Sequence, residues 1–144
     1  MKARVLDLVA LAAGIAAASC TEPLAPVVSA DSVTLEFTYW RSSFEDSVGP
    51  RVLGGSGKIA LWGRIEEQGH CGEVSAHVFP WPTDKLTIEI VQDYAPSPTP
   101  CNRRYELILQ GLPPGRHALR VRQVQDDLDW GRTTEVFDGV VRVF

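Results

Sequence analysis

Three carboxylates and a tryptophan crowd one short stretch, Gln125-Asp126-Asp127-Leu128-Asp129-Trp130-Gly131. Oxygen donors at that density suit a hard cation such as calcium, provided that several of them converge. The spacing of a helix–loop–helix calcium loop, with its glycine and closing glutamate, is not present, so no metal site is assigned. The plainer reading is a solvated acidic loop in which Trp130 covers one end of the fold. His70, with Glu66 and Glu67 beside it, is the group best placed by sequence to join this cluster.

Acid–base or nucleophilic chemistry would need a histidine aligned with a nucleophile or a metal. His77 alternates out of phase with Val74, Ala76 and Val78, which puts it on a surface, whereas His117 is in phase with Leu119 and Val121. Neither a G-x-S-x-G elbow nor an H-E-x-x-H helix occurs. The residues therefore indicate a non-enzymatic chain, with no catalytic set and no cofactor.

Tryptophans are the remaining lead. Trp81 stands between Pro80 and Pro82 at a turn tip, while Trp40 and Trp62 fall opposite the core phase of their strands. Those two are either exposed or covered by the long segment Arg41 to Gly57. An exposed indole anchors a protein or carbohydrate partner well, because it buries a large area at low entropy cost. Trp81, Trp130, Asp126, Asp127, Asp129 and His70 are thus the candidate ligand-binding residues.

Strands must position these groups, because the mature chain alternates with period two and shows no helical stripe. Val33, Leu35, Phe37 and Tyr39 share one face; so do Ile59, Leu61 and Ile65, with Gly63 in phase. Val74 to Val78, Leu86 to Ile90, Tyr105 to Leu109, His117 to Val121 and Phe137 to Val143 continue the pattern. Turn residues separate them, among them Gly54-Gly55-Ser56-Gly57, Gln68-Gly69-His70 and Ala95 to Pro100. Seven short strands at this spacing predict an all-β, antiparallel, two-sheet sandwich in one domain, residues 31–144.

Ahead of that domain, Lys2 and Arg4 precede an apolar run from Leu8 to Ala18, and small residues lead to Cys20. The order is that of a cleaved export signal, residues 1–19. Eleven uninterrupted apolar residues are too few for a membrane span, which needs about 20. Ala17-Ala18-Ser19-Cys20 resembles the lipobox of bacterial lipoproteins. That resemblance implies a diacylglycerol on the Cys20 thiol and, with Thr21 rather than aspartate following, anchoring at the outer membrane of the cell envelope. Residues 20–30, with Pro23 and Pro26, read as the lipidated cysteine and a semi-rigid tether.

Three cysteines are an odd number, and acylating Cys20 leaves Cys71 and Cys101. An oxidising compartment makes a disulfide between them the expectation. Losing residues 1–19 removes two positive and one negative charge, moving the net charge from −4 to −5. An acidic chain with scattered basic residues has no footprint for nucleic acid.

Leu109-Gln110-Gly111-Leu112-Pro113-Pro114-Gly115-Arg116-His117 resembles the strand–turn–strand corner of immunoglobulin-like and fibronectin type III-like sandwiches. His117 stands where those families usually place a tyrosine, so the corner hydrogen bond falls to an imidazole if it is made at all. That topology would gather the loops holding Cys71, Cys101 and the Asp126–Trp130 stretch at one end, with each of the two cysteines in a different sheet, and put Trp81 at the other. The functional expectation is a membrane-anchored binding or structural module with an envelope protein or a carbohydrate as partner.

Overall fold

The computed structural model describes residues 22–42, 49–65, 72–79, 84–96, 101–126 and 131–144. Their alternating apolar residues pair as eight strands: β1 (Thr34–Arg41), β2 (Arg51–Gly55), β3 (Lys58–Ile65), β4 (Val74–Val78), β5 (Leu86–Asp93), β6 (Arg103–Gln110), β7 (Gly115–Asp126) and β8 (Arg132–Val143). They form two four-stranded sheets, β1-β6-β3-β2 and β4-β5-β7-β8. The all-β, two-sheet sandwich is therefore the architecture, and the core lies between the layers. Ile59, Leu61, Leu107 and Leu109 face it from one sheet, and Ile88, Ile90, Leu119 and Val121 from the other, all fully buried.

Three details differ from the sequence reading. The strand count is eight, because Arg51–Gly55 pairs with β3 as an edge strand instead of lying in a long connection. Its two terminal glycines read as turn residues, and the turn itself is only Ser56-Gly57, with Gly57 at φ 66°. Next, the pairing is not wholly antiparallel: β5 runs parallel to β7, from Leu86 beside Leu119 to Asp93 beside Asp126. An immunoglobulin-like order would set the third predicted strand against the sixth and the fourth in the opposite sheet. Here β5 has joined the second sheet and separates β4 from β7. Last, β1 hydrogen-bonds β6 and not β3.

β7 and β8 carry a register shift at Val121/Arg122, where Glu135 faces Arg122 and Phe137 faces Val121. The extra residue, Val136, packs on the core together with its neighbour Phe137. A bulge is what allows two consecutive residues to turn inward. Beyond it the chain's last residue crosses to the other sheet, Phe144 N–H donating to Gly55 and Gly57 N–H to Phe144. This closes the sandwich along the β2–β8 edge.

At the turn into β7, His117 is 3% exposed and its Nε2 lies 2.8 Å from the Pro113 carbonyl. A carbonyl only accepts, so the imidazole donates, and the corner hydrogen bond is made without tyrosine. His117→Ala would leave the Pro113 carbonyl unpaired beside a small cavity. We expect it to cost about 2 kcal/mol, read as a lower denaturation midpoint at unchanged slope; an unchanged midpoint would show that the corner bond carries no weight.

Candidate functional site

The connections β3–β4, β5–β6 and β7–β8 leave the same end of the sandwich, because Ile65, Asp93, Arg103 and Asp126 occupy the terminal rungs there. The connection between β4 and β5, which holds Trp81, leaves the other end, beyond the Val78–Ile88 pair. This arrangement agrees with the expectation, even though the strand order does not. Cys20, Cys71, His70, Trp81, Asp127, Asp129 and Trp130 lie outside the described residues. Asp126 is the last residue of β7, and Cys101 is a half-buried residue two positions before β6.

What the structure does bring together is the outer face of the β1-β6-β3-β2 sheet. Side chains two apart along a strand share a face, so register decides which strands' residues meet there. Trp40 pairs with Arg104, and Arg104 with Arg64, across β1, β6 and β3. One rung further, Trp62 stands between Glu106 of β6 and Arg51 of β2. Two tryptophans and three arginines therefore occupy adjoining rungs, with Glu106 the one carboxylate among them.

A cavity of about 490 Å3 opens at this place, lined by Trp40, Trp62, Arg51, Arg64, Arg104 and Tyr105. Trp40 is 44% exposed and Trp62 half-buried. The Trp62 indole N–H donates to Glu106 Oε1 at 2.8 Å, which fixes the plane of that ring. Among the described residues Arg64 reaches a neutral partner, Asn102 Oδ1, at 3.5 Å. Arg51 has no ion pair among the described residues.

Beneath them lies a polar group of a different kind. Tyr105 points into the core side of its strand and is fully buried, its ring 5.9 Å from that of Phe37. Its hydroxyl ends against Gly63, where an added Cβ would stand 2.4 Å from the oxygen. Both residues line the cavity. The hydroxyl has no hydrogen-bond partner among the described residues. Burial pushes this phenol above the ordinary tyrosine range, so it stays protonated.

The opposite sheet shows what a self-satisfied charged face looks like. On its outer side Glu89 accepts from Arg122 at 2.7 Å and meets His77 at 3.1 Å. Asp138 accepts from Lys85 and from Arg120, and the Lys85 hydrogen bond holds its carboxyl below the usual range. Cations there are matched by carboxylates, whereas on the two tryptophan rungs Glu106 is the one carboxylate among the described residues. Guanidinium forks grip carboxylate, phosphate or sulfate in two-point geometry, and indoles offer flat apolar area.

Sequence reasoning put the two tryptophans on the outward phase without choosing them as ligand-binding residues, and it missed the arginines. Arg64 and Arg104 alternate against Ile65 and Tyr105, so their face was readable from phase. Arg51 was hidden because its strand was read as a connection. Comparison with protein-family models, curated proteins and solved structures finds no match to this chain.

Proposed function

We propose that the protein is an exported, membrane-anchored lipoprotein whose non-enzymatic β-sandwich binds a partner on the tryptophan face. The observation that carries this reading is the cavity over Trp40 and Trp62, built on strands rather than on loops and bordered by Arg51, Arg64 and Arg104. A rigid sheet presents such groups with little ordering cost on binding.

The sequence pattern around Cys20 motivates the anchor, and the described start of the chain bears on its geometry. Glu22 Oε2 pairs with Arg142 at 3.2 Å, Ala25 N–H donates to the Arg116 carbonyl at 2.7 Å, and Leu24 bridges Arg116. The segment read as a tether is thus laid against β7 and β8 from Glu22 onward. An acyl chain on Cys20, two residues earlier, holds that end of the sandwich toward the bilayer. It turns the long-loop end away from it.

A Cys71–Cys101 clamp belongs to the same reading. Cys101 stands half-buried two residues ahead of β6. Gly72, the residue after Cys71, is joined through its carbonyl to Arg103 Nη1 at 2.6 Å. That buried contact bridges the approach to β4 and the start of β6, which belong to different sheets.

The full chain expressed in a two-membrane bacterium with a palmitate analogue tests the anchor. Label on the wild type and none on Cys20→Ser supports it; an unlabelled mature wild-type protein overturns it. The binding half is tested by screening immobilised saccharides and peptides with wild type and with Trp40→Ala. Retention that Trp40→Ala does not weaken would remove the tryptophan face from the function.

A further inference from the structure

We infer that the end of the sandwich carrying Leu24, Val27 and Phe144 is a lipid-docking surface, which seats the domain on phospholipid headgroups in one orientation. This rests on the acyl anchor proposed for Cys20 and adds what the surface beside that anchor does.

Reach brings the bilayer to this end. Glu22 pairs with Arg142, Ala25 N–H donates to the Arg116 carbonyl, and Val28 packs on the core, so the chain is fastened to the sandwich from Glu22 onward. Cys20 stands two residues earlier, a span of at most about 7 Å whatever path the chain takes. The headgroup layer of one leaflet is itself roughly 5–8 Å thick. No spacer therefore separates an acylated Cys20 from the fold, and the groups around Glu22 meet the membrane surface. Lipid is selected over a protein partner because the anchor carries the bilayer to this place in every molecule.

Those groups are apolar and outward. Leu24 is 50% exposed, Val27 46% and Phe144 65%. Arg142 ties them together: its guanidinium pairs with Glu22 at 3.2 Å and lies 5.7 Å from the Phe144 ring centroid. Hydrogen bonds from Phe144 to Gly55 and from Gly57 to Phe144 hold its backbone, so the ring is presented in place. Pro113 and Pro114, exposed in the turn into β7, widen the same end. Large apolar side chains gathered on a soluble face mark a contact surface, and at a membrane they settle at the boundary of headgroup and acyl chain.

Charge fixes the orientation. Glu66, Glu67, Glu73, Asp126, Asp127 and Asp129 belong to the connections at the opposite end or to their flanks. The eight residues of β3 set the two ends roughly 25 Å apart. That is about three Debye lengths at physiological salt. Anionic headgroups under the Leu24 end are therefore screened from those carboxylates, whereas an inverted domain would press like charges together.

The test uses the full mature protein, acylated, on vesicles of phosphatidylethanolamine and phosphatidylglycerol that contain a headgroup-nitroxide lipid as quencher. A thiol-reactive fluorophore is attached at Ser29→Cys in one sample and at Thr133→Cys, beside the long loops, in another; wild type treated with the same reagent is the blank. Both positions are exposed. We expect quenching about threefold stronger at Ser29 than at Thr133. Leu24→Ser combined with Phe144→Ser should roughly halve that contrast. The double variant should still float with the vesicles and melt like wild type, a result that tethering by the acyl chain alone does not give. Equal quenching at the two positions, or a contrast that the double variant keeps, overturns the docking surface and leaves the anchor standing. A wild type that does not float overturns the anchor, and the docking surface with it. Contrast that appears only after an envelope extract is added assigns this end to a protein and overturns the lipid.

Discussion

Serine at Cys101 is expected to lower the stability of the exported protein by about 3–4 kcal/mol, on the order of 10–15 °C in melting temperature. The proposed bridge to Cys71 closes a loop of roughly thirty residues, and the chain entropy removed from the unfolded state sets that magnitude. Position adds to it. The loop so closed contains β4 and β5 of one sheet and ends at β6 of the other, so cutting it frees the layers at the long-loop end. Calorimetry on wild type and on Cys101→Ser under oxidising conditions checks the value. Reduction of the wild type should reproduce the serine variant, and two superimposable melts would show that no bridge holds these layers.

Arg103→Ala is expected to cost about 3 kcal/mol, a second large effect at the same place. The guanidinium is 6% exposed, donates to the Gly72 carbonyl at 2.6 Å, and lies 5.4 Å from the Tyr39 ring centroid. Truncation leaves that carbonyl buried without this donor and opens a void where the long aliphatic stem packed. Arg103→Lys should recover only part of the loss, because an ammonium lacks the planar fork that stacks and donates together. The two predictions are also coupled. Arg103 and the proposed bridge tie the same two stretches of chain, so the double variant should deviate from additivity by more than about 0.5 kcal/mol. Denaturant melts of the four proteins measure that term, and strict additivity would place the bridge elsewhere.

Alternation of apolar side chains was enough to recover most strands. Leu107 and Leu109, or Ile88 and Ile90, admit no other arrangement once helical spacing is excluded, and burial confirms their inward face. The His117 corner was legible for the same local reason, since a donor three residues after Pro114 meets a carbonyl in the same turn. The gathering of three loops at one end followed from strand count parity: successive strands reverse direction whichever neighbour they choose. Outward placement of Trp40 and Trp62 was likewise contained in phase.

Pairing was not contained there. Nothing in the local pattern of β5 says whether it will join β4 and β7 or the opposite sheet, because its residues Leu86, Ile88 and Ile90 would be buried in either. That choice depends on long-range contacts, and it produced the parallel pair with β7 and the edge position of β4. The candidate site shows the same division. Trp40, Arg104, Arg64, Trp62 and Arg51 come from four strands, and only the register of those strands places them on adjoining rungs. Composition and periodicity dictate which side of a strand a residue takes; which residues stand beside it is a property of the assembled sheet.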